Sequence, residues 1–436
     1  YDRAGRRVLE KYKMQRGREG EPQEFLVIQT LSPGGRREVL AFGGLEADRQ
    51  EIFYQWREDG LLGGISSADF FSGQGIFYGY DQDSGRLKAI AYPSSTTAFL
   101  SYDPEGRATE LTWTLPQGTL AYPTRYDKRG YLTQMGNATY TYDALGRLTG
   151  ARDELGDTYE YSYDSSSNRT QVKQNGVTTQ SLSFEEADKI DTEAHPQFAY
   201  DPTGRLISDT TYSSRKRSLF WDGSGRLIAA AIYDPSTGHR QEVRLTYDPT
   251  GRLSEKEVFE DATYLKEHHL YYYEADRLLA EEERVSSTFR YYLYGGRDTP
   301  AAMKEKKKDG TSTTYFYLTN THGDVVALQD KDGKIINGYA YGPWGEPKRV
   351  SEQVHQHFRY AGYLYDPTTE LYYLRARWYD PGTGRFLSRD PMAGMVKHLA
   401  SVNRQLYGAR ASSSTIDPSG MASRNTSRLR QAENAC

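Results

Sequence analysis

The chain has 436 residues, with 55 basic against 59 acidic side chains and a net charge of -4, so no global field recruits nucleic acid or a membrane surface. Its single cysteine, Cys436, excludes a disulfide within the chain and a cysteine-ligated metal. No apolar run reaches the roughly 18–20 residues of a membrane-spanning helix.

The 37% hydrophobic content leans on 37 tyrosines, against 15 phenylalanines and 5 tryptophans. Tyrosine buries a ring but keeps a hydroxyl that needs a polar partner or water, which suits sheet walls wetted on at least one side. The chain opens at Tyr1, inside a repeat and without an initiator methionine, and reads as a piece of a longer protein.

In chain order, Leu61 to Gly75 is glycine-rich and reads as an irregular loop. A repeated unit then dominates: Tyr102-Asp103-Pro104-Glu105-Gly106-Arg107, Tyr142-Asp143-Ala144-Leu145-Gly146-Arg147-Leu148, Tyr200-Asp201-Pro202-Thr203-Gly204-Arg205-Leu206 and Tyr247-Asp248-Pro249-Thr250-Gly251-Arg252-Leu253. Trp221-Asp222-Gly223-Ser224-Gly225-Arg226-Leu227 carries Trp for Tyr. Such self-similarity means one supersecondary element laid down many times.

That element is a β-hairpin. The residues before each Tyr-Asp alternate, as in Val243, Leu245 and Tyr247, which puts them on one face of a strand. Aspartate suits the first position of a type I turn, proline the second and glycine the fourth, so Asp103, Asp143, Asp201, Asp222 and Asp248 open turns. Gly106, Gly146, Gly204, Gly225 and Gly251 close them with a positive φ. In the irregular copy Tyr163-Asp164-Ser165-Ser166-Ser167-Asn168-Arg169, a loop one residue longer ends on Asn168 as the left-handed residue. The uneven spacing of Tyr102, Tyr126, Tyr142, Tyr163 and Tyr200 rules out a rigid solenoid and predicts an all-β fold, with tandem hairpins joined side by side into one long antiparallel spiralling sheet.

Phe184 to Pro196 is acidic, lacks alternation and reads as a loop, and Ala280 to Val285 is a short acidic stretch. Hairpins follow around Asp309-Gly310 and Asp332-Gly333, the first carrying Lys306-Lys307-Lys308 at a solvated tip. His355 and His357 can share a strand face, but no acidic or cysteine partner stands at metal-site spacing. No metal and no cofactor is expected.

From Phe358 the signals crowd: Phe358-Arg359-Tyr360-Ala361-Gly362-Tyr363-Leu364-Tyr365-Asp366, then Leu371-Tyr372-Tyr373-Leu374-Arg375-Ala376-Arg377-Trp378-Tyr379-Asp380-Pro381-Gly382-Thr383-Gly384-Arg385-Phe386-Leu387-Ser388-Arg389-Asp390-Pro391. With the repeats, this string resembles the C-terminal part of a bacterial Rhs/YD-repeat protein, including its Rhs core-associated domain. The resemblance implies YD repeats over residues 1–300, a core-associated plug over 301–421 and a short, disordered stub of the variable region over 422–436. Similar proteins include polymorphic toxins, the cocoon components of insecticidal toxin complexes and animal teneurins.

What the resemblance implies is a secreted or cell-surface bacterial shell that encapsulates and delivers its own C-terminal toxin segment. It also implies a single-turnover, aspartyl-protease-like self-cleavage. Two close carboxylates share a proton, so that one activates water and the other polarises the scissile carbonyl. On the family pattern, Asp390 and Asp417 are the catalytic carboxylates, Arg377 orients them, and the cut falls after Met421. The first motif, Asp390-Pro391-Met392-Ala393-Gly394, is one residue longer than that pattern. An immunity protein and an export apparatus are the other implied partners. A different class stays open: a non-enzymatic surface scaffold or carbohydrate-binding adhesin, since tyrosine faces stack on sugars. A remnant that has lost its toxin fits the short tail.

Overall fold

The structure, a computed structural model, describes residues 6, 9–14, 23–44, 49–185, 188–211, 213–390, 405, 407, 415–417, 419 and 424–425. Its strands pair with their neighbours in sequence, antiparallel throughout. They form a 16-stranded sheet from Leu9–Met14 to Val177–Ser181 and a 14-stranded sheet from Ala199–Tyr200 to Pro347–Ser351. A 4-stranded sheet follows, made of Leu364–Asp366, Leu371–Leu374, Arg377–Asp380 and Arg385–Phe386.

The repeat unit is a hairpin turn closed by its own side chains. At Asp143, Oδ1 accepts the backbone N–H groups of Leu145 and Arg147, both at 2.9 Å, and Oδ2 accepts Arg147 Nε at 2.5 Å. Asp201, Asp222 and Asp248 repeat the pattern. The glycines at 106, 146, 204, 225 and 251 have φ of 85°, 80°, 81°, 82° and 88°, in the left-handed region that side chains disfavour. The leucine after each arginine turns into the core; Leu148, Leu206, Leu227 and Leu253 are all buried.

The tyrosine and the arginine join one unit to the next. Tyr163 Oη donates to the carbonyl of Leu148 at 2.6 Å, and Tyr102, Tyr142 and Tyr247 donate likewise to Leu87, Leu132 and Leu227. Trp221 fits the same place because its Nε1–H reaches the Leu206 carbonyl at 2.7 Å. Arg147 reaches forward: Nη1 donates to the Asp164 carbonyl at 3.0 Å and the guanidinium lies 4.9 Å from the centroid of the Tyr163 ring. Each of these four hydroxyls thus finds a backbone acceptor one unit back, which satisfies the polar end of a ring packed on the sheet.

Three expectations change. The single long sheet is two, because the described residues between 182 and 197 form no named strand and contribute the isolated bridge Phe184↔Ile190. In the irregular copy the left-handed residue is Ser167, with φ 68°. Asn168 stands in the arginine position instead, its backbone N–H and Nδ2 reaching Asp164 at 2.8 and 2.9 Å. The Leu61 to Gly75 stretch holds the strand Leu62–Ser66 and the one-turn helix Ala68–Phe71. Glycine serves that strand because a Cβ on Gly64 would sit 3.0 Å from the Phe77 ring across the ladder.

The two large sheets pack face to face. Phe25 stacks on Tyr272 with centroids 4.2 Å apart, Phe71 on Phe316 at 5.8 Å, and Trp113 Nε1 donates to the Thr319 carbonyl at 2.8 Å. The other face of the second sheet carries the segment that follows it. Phe358 sits edge-on to Tyr292 and Tyr317, Lys256 Nζ reaches Asp366 at 2.7 Å, and Trp378 Nε1 donates to Tyr247 Oη at 3.0 Å. Arg217, fully buried, donates to Asp209 at 2.8 Å and to the Thr369 carbonyl at 2.8 Å.

Candidate functional site

Of the three polar residues expected to act together, Arg377 lies in the small sheet, Asp390 follows its last strand, and Asp417 follows the short strand Thr415–Ile416 of a separate two-stranded sheet. Arg377 opens the strand Arg377–Asp380, where its guanidinium lies 3.6 Å from the centroid of the Phe386 ring. That aromatic face fixes the guanidinium plane and adds a cation–π attraction. From there Nη2 stands 3.0 Å from Asp390 Oδ2 and 3.5 Å from Asp417 Oδ2. One cation therefore bridges two carboxylates, whose oxygens can be no further apart than the sum of those distances. The side chains of Arg377 and Asp417 are 4% and 2% exposed and that of Asp390 19%, so Asp390 is the one on the more open side.

Asp417 has further support. Its backbone N–H donates to Tyr363 Oη at 2.6 Å, Ser419 Oγ donates to its Oδ1 at 3.3 Å, and the Ala376 N–H donates to the Ser419 carbonyl at 3.2 Å. Tyr363 and Tyr407 share a hydrogen bond of 3.0 Å inside a cluster with Tyr360, Tyr372, Tyr379 and Phe386. Burial pushes the phenols of Tyr363 and Tyr407 far above the usual tyrosine range, so both stay neutral. Sequence reasoning missed this pair. Tyr363 lies 54 residues before Asp417 in the chain, and nothing local connects the two.

Met421 lies outside the described residues. The turn residues Asp103 to Gly251 are dispersed along the sheets and share no site with Arg377. Sequence spacing also offered no acidic partner for His355 and His357, yet the fold supplies one: Glu281 Oε1 lies 3.0 Å from His357 Nε2 and 2.6 Å from His269 Nδ1.

Compared with known proteins, residues 41–157 and 136–412 match the teneurin YD-shell family. The chain belongs to that family. Among YD-shell relatives, it is 32% identical over 287 residues to the tRNA3(Ser)-specific nuclease WapA of Bacillus spizizenii, a match covering 64% of this chain and 12% of that protein. It is 26% identical over 294 residues to the double-stranded DNA deaminase toxin A of Burkholderia cenocepacia, covering 61% of this chain and 20% of the toxin. The crystal structure of TcdB2–TccC3 superposes with a TM-score of 0.77 at 17% identity, over 96% of this chain and 24% of that one, and shows the shared fold. This YD-shell chain is thus related to bacterial polymorphic toxins and spans a fraction of their length. Among its described residues no helix is long and apolar enough to cross a membrane.

Proposed function

We propose that the chain is a section of a secreted toxin-delivery shell that cuts itself once, between Met421 and Ala422. In this reading the repeats up to about residue 300 form wall, residues 301–421 close it, and the segment from 422 leads into the cargo. One observation carries the reading: Arg377 lies within ion-pair reach of both Asp390 and Asp417.

The chemistry needs one carboxylate and one carboxylic acid. The carboxylate takes a proton from water as the oxygen attacks the Met421 carbonyl carbon, while the acid hydrogen-bonds and protonates the carbonyl oxygen. Collapse of the tetrahedral centre breaks the C–N bond, and the proton passes to the leaving amine of Ala422. Arg377 is a positioning residue. Its single positive charge balances one of the two carboxylates in a site removed from water, where the pairing is stronger than at the surface.

The test is intact-mass spectrometry of the purified chain beside Asp390→Asn and Asp417→Asn. Wild type should yield a new C-terminus at Met421, both variants should remain whole, and Arg377→Met should be slowed. An uncut wild type with an intact β-sheet spectrum overturns the proposal, as does unchanged cleavage in either aspartate variant.

A further inference from the structure

The second sheet carries a buried charged stripe on the face that the closing segment covers. Lys256, His269, Glu281, Arg290 and Glu305 sit on successive strands, and all are buried. Lys256 pairs in register with His269, Glu281 with Arg290, and Arg290 with Glu305. His355 and His357 are laid over this stripe by the segment that follows the sheet, their rings 4.7 Å apart and 6.1 and 5.5 Å from that of His269.

The contacts converge on Glu281. Its Oε1 faces His269 Nδ1 at 2.6 Å, His357 Nε2 at 3.0 Å and Arg290 Nη1 at 3.2 Å, and its Oε2 accepts from Tyr292 Oη at 2.9 Å. His269 turns its other nitrogen to Glu267 Oε2 at 3.3 Å, and the buried Nε2 of His355 has no hydrogen-bond partner. Arg290 Nε is held by Glu305 at 3.1 Å, and Lys256 Nζ by Asp366 at 2.7 Å and Glu267 at 3.6 Å.

Charge balance makes the cluster unusual. Three buried carboxylates (Glu281, Glu305 and Asp366) meet two buried cations, Lys256 and Arg290, so neutral imidazoles leave one surplus negative charge in the interior, and Glu267, 30% exposed, adds another at its edge. Buried charge is expensive unless it is neutralised or coordinates a metal.

The geometry points to a divalent transition-metal site, of the zinc class, formed by His269 Nδ1, His357 Nε2 and Glu281 Oε1. One ligand atom from each of the three residues lies within 4.8 Å of the other two, and Glu281 Oε1 is 2.6 Å from His269 Nδ1 and 3.0 Å from His357 Nε2. A tetrahedral ion bound at about 2.0–2.1 Å separates its ligands by roughly 3.4 Å, so small side-chain shifts admit it. Imidazole nitrogens suit zinc, as they do copper, iron and nickel, and two histidines with one glutamate are a known zinc ligand set. Glu267 on the far nitrogen of His269 fixes that ring as outer-shell carboxylates do, and the fourth position is left to water. The ion replaces the two imidazole–carboxylate hydrogen bonds, while Arg290 stays on Glu281. It would clasp the closing segment, through His357, to the wall. This does not depend on the self-cleavage reading.

The experiment dialyses metal-stripped full chain against buffered Zn²⁺ and, separately, Co²⁺. We expect one bound zinc per chain at micromolar free metal, and visible Co²⁺ bands of four-coordinate intensity. Glu267→Gln should weaken zinc binding by roughly 10–100-fold, His357→Gln should abolish it, and His268→Gln, in the neighbouring Glu255, Glu257 and His268 group, should leave it unchanged. If His357→Gln fails to fold, Glu267→Gln and the cobalt spectrum of wild type decide. No bound zinc in wild type overturns the proposal, as does binding that is lost with His268→Gln but kept when Glu267 is replaced.

Discussion

Replacing Tyr163 by phenylalanine keeps the ring and removes one oxygen. The ring still lies against Arg147, 4.9 Å from the guanidinium carbon, and only the 2.6 Å hydrogen bond to the Leu148 carbonyl is lost. A net hydrogen bond is worth about 0.5–1.5 kcal/mol, and a carbonyl left dry raises the loss toward about 3 kcal/mol. Leu148 is fully buried, so water reaches its carbonyl poorly and the cost should exceed about 1 kcal/mol. That corresponds to a roughly 5-fold or greater rise in local opening. Amide hydrogen exchange in peptides spanning Leu148–Arg152 and Thr158–Tyr163 reads it directly, since exchange reports opening region by region. Tyr163→Trp should lose less than Tyr163→Phe, because Trp221 already makes the equivalent bond to Leu206 at 2.7 Å. Exchange in Tyr163→Phe equal to wild type, or slower than in Tyr163→Trp, refutes the claim that the tyrosine hydroxyl joins one unit to the next.

Arg217→Met strips the countercharge from buried Asp209 and should cost about 3–5 kcal/mol in urea denaturation, much of it recovered in the double variant with Asp209→Leu. Burial pushes the Asp143 carboxyl up, but the Arg147 N–H and guanidinium outweigh it and hold the group below its ordinary value. A depressed carboxyl stabilises the fold above the unfolded value, about 3.9, and loses that contribution as pH falls through the folded value. Asp143→Asn should therefore be less stable than wild type near neutral pH, with the gap closing below about pH 4, as followed by thermal melts across pH. Gly345→Ala should destabilise more than Gly225→Ala by about 1–3 kcal/mol. Both have positive φ, but only at Gly345 would a Cβ meet a ring, that of Tyr360 at 2.7 Å, whereas Gly225 faces open space. Equal melting temperatures for the two variants would refute this.

The hairpins were legible because their determinants are neighbours. Asp143 bonds to residues two and four places on, and a glycine at the turn's end reports its own φ, so both signals survive in any window of the chain. Arg377, Asp390 and Asp417 could be singled out only through the family string. That one guanidinium reaches both carboxylates, and that Tyr363 holds the Asp417 backbone, follows from segments distant in sequence folding against Arg377. Asn168 was misread because its place in the turn is decided by which backbone groups Asp164 captures, and composition alone does not count them.

By itself the sequence determined an all-β chain of tandem antiparallel hairpins, because turn chemistry and period-two alternation act over a few residues. Tertiary structure alone decided which sheet faces meet, and that Glu281 lies under His357 across a large gap in sequence. Those outcomes depend on the stacking of whole sheets, where one residue's partner is set by the register of every strand between them.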